Sequence, residues 1–366
     1  MKLVVAGPVN RLGYGVVCAN IIHGLSQAGV DVYYRPWPPE APYLTEDDVR
    51  SLPPHTTSSV KDALSKWCAG GCDKLPHLHI WHEWLLGGPW KGPTIGMPFF
   101  ETVPLRKDAV PKLKMCQAVI ATSMWSYAVL SEAGARTFYI RCVGFDPSVF
   151  HPGPGMARRR QDKKRFIYLH VGKLEIRKGV DLVIHAFGAI SHRYKDTDLW
   201  LLIDNPFNPK WYGSYVTMVE RAKIHRGNST RQRVYSLSAR HTHAQVADLY
   251  RSVDALVQPS RGEGFGLPAL EAMACGTPTA ATTNTGHAEF VDQLGGVAIP
   301  SGELVDAYDG VFFDGSRSWR DVNTKDVISA MNTLYIHRPK PRSAADFTVE
   351  AGAQRLVKGL KDLGYL

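Results

Sequence analysis

Glu263-Gly264-Phe265-Gly266-Leu267-Pro268-Ala269-Leu270-Glu271, continuing through Ala272-Met273-Ala274-Cys275-Gly276-Thr277-Pro278, is the stretch from which the chain is read. Two carboxylates stand eight residues apart, the first before a glycine loop, the second inside a predicted helix. Pro268 suits the first helical turn, where a missing N–H costs nothing. Gly276, with Pro278 just beyond, supplies a helix stop. Glu263 is therefore expected on the loop and Glu271 about one turn into a short helix. Loop amides and a helix N-terminus together form a positive pocket suited to an anion. A carboxylate there repels phosphate, so its expected partners are hydroxyl groups. Phosphates with hydroxyls suit a nucleotide sugar.

Working outward, a strand–loop–helix–strand unit occurs twice. Lys2 to Ala6 reads as a strand, Gly7 to Gly15 as a turn, Val16 to Ala28 as a helix and Val30 to Tyr34 as the next strand. Val17, Ile21, Ile22 and Leu25 form the apolar face of that helix, and Gly29 ends it. Later come a strand from Arg165 to Val171, a turn from Gly172 to Gly179, a helix from Val180 to Ile190 and a strand from Leu199 to Ile203. Two such units predict an α/β chain with two Rossmann-like, doubly wound parallel-sheet domains. Each loop would lie at the carboxyl ends of its strands, and two facing loops would make a cleft. The expected domains are residues 1–150 and 151–345, with 346–366 as a terminal amphipathic helix. The boundary is read in the Pro- and Gly-rich run Val143 to Gly155.

The 366 residues suffice for two domains of ordinary size, and 44% hydrophobic with 21% charged residues reads as globular and soluble. No apolar run approaches the roughly 20 residues needed to span a bilayer. Met1 to Pro8 turns too soon for a secretory signal. Six scattered cysteines lack the density of a disulfide scaffold, so a reducing cytoplasm is expected. The net charge is +9, with basic residues concentrated in Arg158-Arg159-Arg160 and Lys163-Lys164-Arg165. A solvated linker, an anionic membrane surface and nucleic acid all suit that run.

The opening stretch resembles the E-x7-E signature of retaining glycosyltransferases of family 4 (glycosyl transferases group 1), which have the GT-B fold. Leu249 to Arg261 and Thr285 to Val291 extend the resemblance on either side. Val171 to Asp181 resembles the family's diphosphate-binding segment, and Gly144 to Pro152 its interdomain linker. The resemblance implies two Rossmann-like domains facing across a cleft, with the final helix crossing back to the first. It implies a nucleotide-sugar donor, with UDP or GDP as the nucleotide. It also implies transfer to a hydroxyl of a glycan or lipid-linked glycan, with retention, and no metal or other cofactor. The leaving phosphate would take the acceptor's proton in a front-face attack.

Lys173 and Lys178 flank a turn before a helix, where fixed cations stabilise charge on a leaving group. By resemblance they hold the donor's pyrophosphate, Glu263 meets the sugar hydroxyls and Glu271 the ribose. Gly264, Phe265, Gly266 and Leu267 would line sugar and phosphate with their amides, and Gly13-Tyr14-Gly15 would approach the phosphates from the first domain. A plain turn is the competing reading of that last triplet. Where many relatives carry a histidine, this chain has Phe100-Glu101-Thr102, so Glu101 is a candidate for a sugar or acceptor contact. His82, at a predicted strand end, is a second. Cys68, Cys72, His77 and His79 match no strong zinc spacing. Asp204-Asn205 is no Asp-x-Asp, in keeping with a metal-free site. Tyr33 to Pro39 sets aromatics beside prolines, a pattern suited to stacking on sugars or bases or to a rigid packed loop. Two further functions fit the residues. One is glycosylation of hydroxylated DNA bases, which the basic run allows. The other is a non-catalytic module binding nucleotide sugar or nucleic acid.

Overall fold

The computed structural model describes residues 1–38, 45–88, 90–155, 165–204, 217, 233–237 and 241–366. The basic run Arg158-Arg159-Arg160 with Lys163 and Lys164 lies outside the described residues, as do Pro39 and Asn205. The chain forms two compact units, Met1–Val149 with Ala345–Leu366, and Phe150–Ala344.

The first unit is built on a parallel sheet of β1 (Lys2–Gly7), β2 (Asp31–Pro36), β3 (His77–His82), β4 (Thr94–Phe99), β5 (Ala118–Ala121) and β6 (Thr137–Tyr139). Their spatial order is β2-β1-β3-β4-β5-β6. The helices are α1 (Gly13–Gln27), α2 (Glu46–Ser51), α3 (Pro54–Cys68), α4 (Ala109–Met115) and α5 (Met124–Glu132). Strands β1 and β5 are almost wholly apolar and buried, as expected of a parallel sheet covered on both faces. The predicted turn from Gly7 to Gly15 is shorter than expected, because α1 already begins at Gly13. Val16 N–H donates to Leu12 O at 2.9 Å, so Gly13 and Gly15 belong to a helical first turn. A Cβ on Gly15 would lie 2.3 Å from Asn10 N, whereas one on Gly13 would meet nothing within 4 Å.

The second unit carries β7 (Phe166–Lys173), β8 (Thr197–Asp204), β9 (Arg233–Leu237), β10 (Ala255–Gln258), β11 (Thr279–Thr282) and β12 (Val297–Ile299). These pair in parallel in the order β12-β11-β10-β7-β8-β9. Helices α6 (Val180–Arg193), α7 (His243–Ser252), α8 (Leu267–Ala274) and α9 (Thr324–His337) accompany them. Thr242 opens α7 through a capping box with Gln245, which satisfies two backbone donors reciprocally. Phe166, Tyr168, Phe187, Leu199, Leu201 and Met331 are among the buried residues of its core. An antiparallel hairpin of β13 (Leu304–Tyr308) and β14 (Asp314–Arg320) was not anticipated from the sequence. The strand order reverses between β7 and β10, and in such sheets ligands bind at the carboxyl ends of the strands flanking that switch.

The last helix, α10 (Val349–Asp362), belongs to the first unit. It packs on α1, and a Cβ on Gly24 would lie 2.8 Å from Ala353 Cβ. Phe145 N–H donates to Phe347 O at 3.0 Å, and Val349 N–H returns to Phe145 O at 2.9 Å. Part of the predicted linker is therefore paired with the segment entering α10.

Candidate donor site of the second unit

Two loops leave the switch point, one after β7 and one after β10, and they are stitched together from both sides. Gly179 closes the first loop with φ at +73°, and a Cβ there would lie 2.3 Å from Pro259 O of the second. Only glycine takes that conformation and that approach together. Arg261 N–H donates to Arg177 O at 2.8 Å, and Arg177 Nη1 donates to Gly262 O at 2.8 Å. Arg261 also donates to Ile176 O and forks onto Asp181 at 3.0 and 2.8 Å, pinning both loops to the first turn of α6. Bidentate pairing of this kind fixes orientation as well as energy.

A third loop, Thr285-Gly286-His287, clamps the glycine loop from beyond β11. Glu263 N–H donates to Thr285 Oγ1 at 2.9 Å and Gly286 N–H to Glu263 O at 3.0 Å. Gly266 has φ at +98°, and a Cβ on it would sit 2.0 Å from the His287 ring. Gly264-Phe265-Gly266 is thus a fixed loop, leading directly into α8 at Leu267.

Glu263 is buried and fully engaged. Lys178 Nζ donates to both of its carboxylate oxygens at 2.7 Å, Ser260 Oγ donates at 2.7 Å, and Arg177 Nη1 stands 3.8 Å away. Burial works to raise its pKa, but Lys178, Arg177 and His287 outweigh it and hold the group down at about 2. Glu175 is buried too. Arg177, Lys173 and Lys178 overcome that burial and lower its pKa. Lys173 Nζ lies 3.7 Å from Glu175. Lys173, Glu175, Arg177, Glu263 and Lys178 therefore form a charge-alternating cluster at the strand ends. The expectation of hydroxyl partners for Glu263 omitted Lys178, which stands 85 residues earlier and meets it only in the fold.

Glu271 sits in α8 in the opposite electrostatic state. It is 8% exposed and accepts a 3.3 Å hydrogen bond from Tyr250. Burial pushes its pKa up to about 7 against the weaker pull of that bond. A carboxylate short of donors is a ready acceptor for ligand hydroxyls. Burial holds His287 down at about 4, so its ring is neutral near pH 7.

In the first unit, Tyr14, His82 and Glu101 lie at or just beyond the carboxyl ends of strands β1, β3 and β4. Tyr14 donates to Phe99 O at 3.1 Å and so accepts from His82 Nδ1 at 2.8 Å, which assigns His82 its Nδ1–H tautomer. The His82 ring stacks on Trp84 at 4.4 Å. Glu101 is half-buried in the loop after β4. Gly13 is exposed at the start of α1. Sequence reasoning passed over Arg177, Ser260, Arg261, His287 and Tyr250. Each lies within a quoted segment, and the dense charge of Glu175 to Lys178 was the available signal. Among the described residues, no group of three or more His, Cys, Asp or Glu is placed to hold a metal ion, and Cys68, Cys72, His77 and His79 assemble none. All six cysteines are free, and no helix among the described residues is long and apolar enough to cross a membrane.

Residues 156–311 match the sequence model of the family described as glycosyl transferases group 1. Mannosylfructose-phosphate synthase from Agrobacterium fabrum is 29% identical over 252 residues, covering 60% of this chain and 53% of the relative. The chain spans about half the length of the first curated relatives it matches. Sucrose-phosphate synthase from Thermosynechococcus elongatus superposes with a TM-score of 0.70 at 18% identity, covering 100% of this chain and 99% of that one. HepE of Anabaena, solved in complex with UDP-glucose, superposes with a TM-score of 0.66 at 16% identity, covering 99% and 100%. These structures share the GT-B fold with this chain. The residues matched by the family model all belong to the second unit.

Proposed function

We propose, from that match, that the chain transfers a sugar from a nucleotide-sugar donor to a hydroxyl of a carbohydrate or lipid-linked carbohydrate. The observation that carries this reading is the pairing, around one glycine loop, of a carboxylate held by Lys178 and Ser260 with a buried one that accepts from Tyr250. The donor's diphosphate would meet Lys178 and Lys173, together with the amides of Gly264 to Leu267. Its ribose hydroxyls would donate to Glu271. A sugar hydroxyl would share Glu263 with Lys178, so that binding orients the anomeric carbon. The UDP-glucose complex of HepE and the sugar-phosphate products named for the relatives support a nucleotide-sugar donor and a sugar acceptor.

The proposed mechanism retains configuration and needs no metal. Lys178 and Lys173 would stabilise charge on the leaving phosphate as the glycosidic bond breaks. The departing phosphate would take the acceptor's proton, so no protein nucleophile enters. Mixing the chain with UDP- and GDP-hexoses, a panel of acceptors and EDTA tests this. Release of UDP or GDP that persists with EDTA is expected, with the product's anomeric linkage matching the donor's. An inverted product or a metal-reversible loss contradicts the proposed mechanism.

A further inference from the structure

The aromatic stretch singled out in the sequence, Tyr33 to Pro38, plays no part in the donor site. Arg35 lies near the end of β2 and opposite Ala6 of β1, which in turn stands opposite His79 of β3. Neighbours in register share a face of the sheet, so Arg35 and His79 project from the same side. Three indoles gather round the Arg35 guanidinium, with ring centroids 4.9 Å (Trp67), 5.0 Å (Trp90) and 5.7 Å (Trp37) from its carbon. His77 stacks on Trp90 at 5.0 Å, and His79 meets Trp37 and Trp90 edge-on at 5.6 and 5.0 Å.

Cation–π contact engages the face of a guanidinium and leaves its N–H edge available. Among the described residues that edge makes no hydrogen bond and no ion pair, although Arg35 and its three indoles are only partly buried. Asp73 acts on it through charge alone. The Nε2 atoms of His77 and His79 are buried against the same indoles and likewise have no hydrogen-bond partner. His79 Nδ1 accepts from Gly87 N–H at 3.0 Å, so the unpartnered Nε2 of a neutral His79 ring carries the proton. His77 Nδ1 donates to Leu75 O at 2.8 Å, so the Nε2 of a neutral His77 ring is an acceptor, and the donors here are those of Arg35 and His79. Oriented donors, a fixed positive charge and flat apolar walls are thus brought together with nothing on the donors. We propose that Arg35, held by Trp37, Trp67 and Trp90, is an oxyanion subsite of the first unit, taking a phosphate monoester or free phosphate through its guanidinium fork. A planar fork matches phosphate bidentately, which an ammonium does not. The inference does not rest on the donor reading.

The test is a titration of the full chain with inorganic phosphate, glucose 6-phosphate and glucose at constant ionic strength, following tryptophan emission. A saturable change with one or both phosphates and none with glucose is expected. A tighter ester assigns its ring to the indole walls, and equal affinities assign recognition to the phosphate alone. Arg35→Lys keeps the charge but loses the fork, and at least about tenfold weaker binding is expected. Arg35→Met should abolish the response, with circular dichroism reporting the fold, and if that variant does not fold Arg35→Lys decides. Lys178→Ala should leave the response unchanged, which separates this subsite from the donor loops. No saturable change in the wild-type chain, or equal responses in wild type and Arg35→Lys, overturns the proposal.

Discussion

Lys178 and Ser260 hold both oxygens of Glu263, whereas among the described residues Glu271 meets a single tyrosine hydroxyl. The two carboxylates of one motif therefore respond oppositely to substitution and to pH. Glu263→Ala leaves Lys178 and Arg177 as poorly paired buried cations, and a loss of about 3–5 kcal/mol is expected in urea unfolding. Glu263 falls from an ordinary 4.5 to about 2 on folding, so its contribution is present above pH 4.5 and is lost as pH drops towards 2. Glu271 rises from 4.5 to about 7, so the folded chain holds a proton that the unfolded chain has released. Stability should then fall as pH rises from about 4.5 to about 7. Glu271→Gln should flatten that slope and stabilise the ligand-free chain at pH 8. Calorimetry of the variant across this range checks the sign, and an unchanged slope refutes it. Hydroxyl donors from a ribose favour the ionised form, so nucleotide affinity should strengthen as pH rises through about 7. The positions of both glutamates were legible in the sequence. Their opposite charge states were not, because Lys178 reaches Glu263 across 85 residues and Tyr250 reaches Glu271 across 21.

The glycines that shape the elements divide into those that the backbone requires and those that it does not. Gly266 combines φ at +98° with a ring 2.0 Å from any added Cβ. Gly266→Ala should cost more than about 1 kcal/mol and displace His287, a change visible in its NMR titration. Gly13 begins a helix in open space, so Gly13→Ala should be neutral or stabilising by up to about 1 kcal/mol. Thermal unfolding of both variants tests the contrast. The strands and the α/β class were legible because apolar runs such as Leu3 to Ala6 and Phe166 to Val171 end at a glycine. The start of α1 was misplaced because Gly13 and Gly15 read as turn formers. Leu12 O accepts the first helical bond without any side-chain cap to mark the site. The hairpin of β13 and β14 escaped notice because its alternating, mostly exposed residues lack a buried run.

The first unit is closed by the end of the chain, through α10 against α1 and Phe145 against Phe347. Removing residues 345–366 should therefore destabilise Met1–Val149 and spare Phe150–Ala344, to be read as selective proteolysis of the first unit. Equal protection of both units in the truncated chain would contradict that assignment. At this scale the repeated strand–loop–helix–strand order was readable from the sequence. The close approach of Gly24 to Ala353 was not, since nothing local announces it. The central claim concerns the second unit, where Lys178, Glu263 and Glu271 are read as a nucleotide-sugar site. Its most direct test is thermal unfolding of the wild type, Lys178→Ala and Glu271→Ala with UDP, GDP, ADP and their sugar conjugates. A ligand that binds only the folded chain stabilises it by about 2.7 kcal/mol at a hundredfold excess over Kd. A clear rise in Tm with UDP or GDP compounds, lost in both variants, is the predicted result. No rise with any nucleotide, or the same rise in all three proteins, would contradict the claim.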